Sequence, residues 1–121
     1  MNRQMISYTT DTAGAASVLG SAVLAKLYAV EYRPGDTDTG ATVTLTCESD
    51  TSKPLLTKAS AGTSNTWFYP RDLVHDVANG AALIGMAGGD RVLPIMHGKP
   101  KVTIASGGAT KSGSVIFYYE E

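Results

Sequence analysis

The sequence has little of three things that direct proteins to particular functions: cysteine, net charge and long apolar runs. Cys47 is the only cysteine, so the chain can form neither an internal disulfide nor a thiolate metal cage. Ten lysines and arginines nearly balance eleven aspartates and glutamates. A chain with so little net charge has no long-range field that would attract nucleic acid or an anionic membrane. We therefore expect neither as a partner.

The most apolar stretch, residues 13–30, does not resemble a membrane span or a secretion signal. Glycine, serine and Lys26 interrupt it, and alanine makes up much of the rest. Such a run is too weakly apolar to cross a bilayer, and it lacks the basic start and compact apolar block of a secretory signal. We expect a protein that is soluble and cytoplasmic when synthesised. The length of 121 residues predicts a single domain with one core.

Aromatic side chains are also scarce, and one stretch combines three of the nine with a proline and several charges. Residues 66–76 read Thr-Trp-Phe-Tyr-Pro-Arg-Asp-Leu-Val-His-Asp and contain the only tryptophan of the chain. Pro70 has no N–H to donate to a sheet, so a strand through Tyr69 should end there. The sequence predicts a strand end followed by a charged loop over residues 71–76.

This stretch has two interpretations. The one we favour places Trp67 and Tyr69 in the core with Phe68 facing outward, because small β domains usually bury their largest side chains. The other makes Arg71 and the neighbouring loop a docking surface, since a guanidinium can bind a carboxylate or a carbonyl through two hydrogen bonds. The candidate residues for partner contact or structural support are Trp67, Phe68, Tyr69, Arg71, Asp72 and His75.

Alternating apolar and polar residues predict strands along most of the chain. The clearest is 41–48, where Val43, Leu45 and Cys47 alternate with threonines and should face inward. Residues 99–105 and 114–119 alternate in the same way, and Pro54 suits an edge strand over 55–59. For residues 22–33 we favour a strand over a helix, since Tyr28, Val30 and Tyr32 share one parity. Shorter strands are expected at 5–9, 15–20 and 91–96, the last broken by Pro94.

Turn-forming residues separate these segments. Those at 10–14 and 106–113 predict hairpins, while 73–89 is rich in glycine and alanine and predicts a long loop. Seven or eight short strands with turns about every ten residues indicate an all-β fold, either a β-sandwich or a small barrel.

No motif predicts catalysis or a bound metal. His75 and His97 lack the close histidine pairing of metal-binding sandwiches, and a lone histidine more often forms a structural hydrogen bond. No serine, cysteine or threonine lies in a recognisable nucleophile turn. We expect neither an enzyme nor a cofactor-binding protein.

The order of motifs resembles a known group of proteins. Trp-Phe-Tyr-Pro-Arg at 67–71 is followed by Val-His-Asp at 74–76, Pro-Ile-Met-His-Gly at 94–98 and a final Val-Ile-Phe-Tyr strand. With the opening Ile-Ser-Tyr-Thr-Thr-Asp, this order resembles small capsid decoration or cement proteins of tailed bacteriophages over nearly the whole chain. The positions that carry the resemblance are Trp67, Tyr69, Pro70, Arg71, His75, Asp76, Pro94 and Gly98.

The resemblance implies a jelly-roll-like β-sandwich made in the host cytoplasm and bound to the outside of the phage head. Its partner would be the major capsid protein, whose neighbouring copies it would hold together. Short strands leave sheet edges that need cover, so we also expect a homodimer or homotrimer. The alternatives are another phage structural component, such as a head-fibre base, a head–tail or a tail protein, and a carbohydrate-binding β-sandwich.

Overall fold

The computed structural model describes residues 1–49, 51, 54–73 and 91–120, and these residues form β-strands and connecting turns. No helix occurs in these ranges, and so none that could cross a membrane. The strands are β1 (Asn2–Thr9), β2 (Ala16–Leu19), β3 (Val23–Arg33), β4 (Thr42–Cys47), β5 (Leu56–Lys58), β6 (Thr66–Phe68), β7 (Asp72–Leu73), β8 (Arg91–Val92), β9 (Ile95–Gly98), β10 (Pro100–Ala105) and β11 (Ser112–Glu120).

Two antiparallel sheets make up most of the structure, consistent with the predicted β-sandwich. The five-stranded sheet has the order β1-β11-β3-β6. Strand β9 pairs with the first part of β3, on the same edge as β6. The four-stranded sheet has the order β2-β10-β4-β5, and β7 pairs with β8 separately. The strand expected over 22–33 is confirmed as β3, and the break at Pro94 separates β8 from β9.

The strands pair in a nested pattern. Strand β4 pairs with β5, β3 with β6, β2 with β10 and β1 with β11. Further ladders join β10 to β4 and β11 to β3. Consecutive strands therefore alternate between the two sheets, except where β4 turns directly into β5 and where β7 and β8 form their own two-stranded sheet.

The core lies between the two sheets and is built from the inward parity of each strand. Val43, Leu45 and Cys47 are buried there as predicted, as are Val102 and Ile104 of β10. Strand β11 contributes the predicted set of Val115, Phe117 and Tyr119. These regular strands are the part of the fold that alternation alone predicts.

The expected parity of β3 is correct over only part of the strand. A bulge lies where Tyr118 pairs with Ala29 and Tyr119 with Leu27, so Tyr28 is the extra residue on β3. On one side of the bulge Leu27 faces the core, and beyond it Val30 does. Tyr28, expected to share a face with Val30, is instead exposed.

Both predicted hairpins are wrong as strand pairings. The turn at 10–14 carries the chain from β1 in one sheet to β2 in the other, and the turn at 106–113 does the same between β10 and β11. The two turns bind each other instead, because the Gly107 N–H donates to the Gly14 carbonyl at 2.9 Å. A side chain at Gly14 would collide with the backbone of Gly107 and Gly108, and its φ of 83° also favours glycine.

A hydroxyl cluster closes the core beside these turns. The Tyr8 hydroxyl lies 2.7 Å from Oγ1 of Thr37 and 3.4 Å from the Tyr32 hydroxyl, with all three residues buried. Burial raises the pKa of Tyr32, so its hydroxyl stays protonated. Since these groups satisfy one another, the cluster is structural.

Candidate functional site

The outward face of the five-stranded sheet has an unusual composition for a solvated surface. One cross-strand row runs from Trp67 through Glu31 and Ile116 to Met5. Trp67 is 46% exposed and Met5 59%, while the two residues between them are buried. We call this surface the aromatic face, defined by Trp67, Tyr69, Tyr28, Tyr118, Met5, Glu31, Arg33 and Arg71.

Two rings are stacked on this face. The ring centroids of Trp67 and Tyr118 lie 4.9 Å apart with a 30° angle between the planes. Such tilted pairs are favourable by about 0.5–1.5 kcal/mol beyond the area they bury. The stack fixes the Trp67 ring against the sheet while leaving much of its surface exposed.

A buried carboxylate lies beside the stack. Oε1 of Glu31 accepts a hydrogen bond from Nη2 of Arg33 at 3.0 Å and a longer one of 3.4 Å from the Tyr118 hydroxyl. The hydrogen bond with Glu31 raises the pKa of Arg33. Glu31 therefore holds both an arginine and a tyrosine in place on the face.

Arg71 joins the end of β6 to the middle of β3. Its Nη1 donates to the carbonyl oxygens of Tyr28 at 3.0 Å and Pro70 at 2.6 Å. The guanidinium carbon lies 5.7 Å from the centre of the Tyr28 ring, within cation–π range. Arg71 is thus half-buried and has a structural role, whatever else it contacts.

The favoured interpretation of the aromatic stretch is wrong. Trp67 and Tyr69 are exposed, whereas Phe68 is half-buried and packs against the core. The register explains the reversal, because Phe68 pairs with buried Val30 and Trp67 with Glu31. The docking interpretation, which concerned Arg71 and the loop after it, stays a prediction.

Of the two remaining candidate residues, the structure describes the backbone of Asp72 but not His75. Asp72 lies in the short strand β7 rather than in the predicted loop. His75 and nearly all of the predicted loop over 73–89 lie outside the described residues.

The aromatic face continues toward β9 as an apolar patch. Leu24 and Ile95 are exposed and, from their pairing with His97 and Lys26, point outward from the same sheet. Val92 of β8 is also exposed and lines a groove with Ile95 and Arg71.

The charges on this face are mainly positive. The described side chains include Arg3, Arg33, Arg71 and Lys26 against Glu31 and Glu120, four cations and two carboxylates. Glu120 is paired across the ladder with Lys26, and Glu31 with Arg33. A partner surface bearing carboxylates would complement this pattern.

A second polar pair was not predicted from the sequence. Oγ of Ser49 lies 2.8 Å from Nδ1 of His97 and donates to the His97 carbonyl at 2.6 Å. Because the single hydroxyl proton is used on the carbonyl, the ring nitrogen must donate to Ser49 rather than accept its proton. The pair resembles a catalytic dyad in distance only and supports the turn at Gly98.

The described residues are not arranged for metal binding or for reactions of a thiol. These residues contain no group of three or more histidine, cysteine or acidic side chains placed to hold an ion. Cys47 is buried, and burial raises the pKa of its thiol, which makes it a poor nucleophile.

Comparison of the chain with protein-family models, curated proteins and solved structures found no match. The described residues form an all-β structure of two antiparallel sheets, consistent with a β-sandwich, with exposed aromatic rings on the outward face of one sheet.

Proposed function

We propose that the chain is a structural virion protein, a capsid decoration or cement protein that binds the outside of a tailed-phage head. The observation that supports this most is the aromatic face, a rigid surface of tryptophan, tyrosine and arginine. These three residue types are the ones most enriched at the energetic centres of protein–protein interfaces. The motif order described above supplies the phage context.

The proposal includes a jelly-roll fold. Without β7–β9, eight strands remain, and they form two four-stranded sheets, β1-β11-β3-β6 and β2-β10-β4-β5. Nested pairing of the first four strands with the last four is what results when one long hairpin is rolled into a sandwich. Jelly rolls of eight strands occur in viral capsid proteins and in lectins, so the topology fits a capsid partner.

The proposed partner is the major capsid protein, bound through the aromatic face. Trp67 and Tyr69 would enter apolar contacts, and the cationic surplus would meet carboxylates on the capsid. A capsid repeats the same site many times, so a decoration protein that bridges neighbouring copies gains avidity from several modest contacts. No catalytic group is needed for this task.

The experiment is a binding assay on assembled heads that lack the protein. Purified protein is mixed with such heads, and the bound fraction is measured after sedimentation. We expect saturation at a fixed ratio to the major capsid protein, together with a higher temperature of head disruption. Failure to bind at micromolar concentration would contradict the proposal.

Carbohydrate binding is the second candidate, favoured by the exposed rings of Trp67, Tyr69 and Tyr28 on a sheet surface. Aromatic rings on a rigid sheet can stack against sugar rings as well as against side chains. A glycan array, followed by titration of the single tryptophan's fluorescence, separates the two candidates. Saturable binding of a glycan without binding to heads would favour this one.

A further inference from the structure

Strand β1 is a long open edge of the five-stranded sheet. It has eight residues and pairs with β11 on one side, and no strand in the described part of the chain pairs with its other side. The other edges are short: β2 and β9 have four residues each, and β5 and β6 have three. Short edge strands resist unintended pairing, whereas a long regular edge favours pairing.

The backbone groups that point to this open edge can be identified. The Thr10 N–H donates to the Lys111 carbonyl at 2.7 Å, which continues the ladder between β1 and β11. Because hydrogen-bonded and non-hydrogen-bonded pairs alternate in an antiparallel ladder, even-numbered residues of β1 bond to β11. The N–H and C=O groups of Arg3, Met5, Ser7 and Thr9 therefore point away from β11.

Strand β1 also lacks three features that commonly protect an edge, namely proline, a bulge and a run of charges. It contains no proline, its pairing with β11 shows no register shift, and its only charge is Arg3. An open groove lined by Ser7, Thr9 and Val18 runs along it. By contrast, a proline lies close in sequence to three of the short edge strands: Pro54 precedes β5, Pro70 follows β6 and Pro94 precedes β9.

We propose that β1 pairs with β1 of a second copy of this chain, antiparallel about a two-fold axis. An axis at Ile6 places Met5 opposite Ser7 of the second copy, and Arg3 opposite Thr9. Every outward backbone group from Arg3 to Thr9 then has a partner, and no like charges face each other. The two five-stranded sheets become one continuous sheet, with the aromatic faces on the same side.

The second copy fits this edge better than an unrelated strand for two reasons. The strand is self-complementary, since its single charge meets a neutral residue in this register. The exposed Met5 side chains of the two copies also become diagonal neighbours across the axis, within reach of each other. This inference does not depend on capsid binding.

The test uses a proline that removes one outward N–H. Ser7→Pro deletes a donor that β11 does not use, so the monomer fold should be retained, as checked by circular dichroism. Ser17→Pro on β2 is the matched control, because the Gly20 N–H bonds to the Pro100 carbonyl and the Ser17 N–H therefore points away from β10.

Sedimentation equilibrium should give the natural chain a mass twice the monomer's 12.6 kDa. Ser7→Pro should weaken the dimer at least about tenfold, since each copy loses one hydrogen bond, while Ser17→Pro leaves it unchanged. A monomer or a trimer at all concentrations would overturn the proposal, and so would an unweakened Ser7→Pro dimer. A monomer that loses head binding on Ser7→Pro would assign the edge to a capsid strand instead.

Amide hydrogen exchange on the natural chain gives a readout that needs no variant. The Met5 and Ser7 amides should become protected as protein concentration rises, in step with the dimer. Fast exchange of both at concentrations where the mass is doubled would place the interface elsewhere and overturn the pairing.

Discussion

The two outward faces of the sandwich obey the same alternation but carry different chemistry. On the four-stranded sheet the outward row is Thr57, Thr44, Thr103 and Ser17, with Thr46, Lys101 and Leu19 beside it. We call this the threonine face. Threonine is both β-branched and polar, so it suits the side of a strand that faces water. Contact with water does not account for the exposed rings of the aromatic face, which we propose to be a binding surface.

The largest difference between the faces should appear in binding. We predict that Trp67→Ala weakens binding to heads by about 30-fold or more, corresponding to about 2 kcal/mol for a buried interface anchor. Thr44→Ala on the threonine face is the control and should bind as the natural chain does. Equal binding by both variants would remove the distinction between the faces.

The second prediction compares neighbours in β6 that point to opposite sides. Phe68→Ala should lower the free energy of unfolding by about 2–3 kcal/mol, because it leaves a cavity at the core. Trp67→Ala should lower it by only about 1 kcal/mol, mainly through the lost stack with Tyr118. Urea denaturation measures both. A larger loss for Trp67→Ala would mean that its ring, not that of Phe68, supports the core.

The third prediction concerns Arg71, which holds β6 and β3 together. Arg71→Ala should cost about 1 kcal/mol of stability through the bonds to the Tyr28 and Pro70 carbonyls. Arg71→Lys keeps the charge without the planar fork, so it should recover little of that stability. If melting is unchanged in Arg71→Ala while head binding falls, the residue serves docking alone.

The smallest effect is expected at Asp11, in the turn that joins the two sheets away from both faces. Its Oδ1 accepts from the N–H groups of Ala13 at 2.9 Å and Ala15 at 3.0 Å, and these bonds lower the pKa of Asp11. Because the pKa of Asp11 is lower in the folded state, its ionisation stabilises the fold at any pH above the ordinary pKa of an aspartate. This contribution to stability is lost as the pH falls through the folded-state pKa.

Asp11→Asn keeps the acceptor but removes the charge, so it isolates that contribution. The natural chain should melt slightly higher than Asp11→Asn at pH 7, and the two should converge as the pH falls through the lowered folded-state pKa of Asp11. Head binding should be the same for both at neutral pH. A gap in melting temperature that persists at low pH would assign the difference to something other than ionisation.

Long strands with clear alternation could be predicted from the sequence, as β4, β10 and β11 show. Along each of them one parity carries three successive apolar residues, so the inward side is evident. At β6 and the residue after it, the alternation of Trp67, Phe68 and Tyr69 is equally clear, but all three are aromatic. Only the register against β3 decides which ring is inside, and register is a long-range property.

The turns show the same limit. Turn-forming residues at 10–14 and 106–113 correctly mark where strands end, but local chemistry does not determine whether the chain returns to the same sheet. The contacts that do, such as Gly107 to Gly14, join residues far apart in sequence. The bulge at Tyr28 and the contact of the Tyr118 hydroxyl with Glu31 likewise depend on neighbouring strands.

The most direct test of the central claim uses the single tryptophan as a reporter of the aromatic face. Protein labelled at Trp67 with 5-hydroxytryptophan can be excited without exciting the tryptophans of the head. The account predicts that binding to heads shifts the emission to shorter wavelength and reduces quenching by acrylamide, because the half-exposed ring becomes buried. Stoichiometric binding with emission and quenching unchanged would show that the protein docks through another surface.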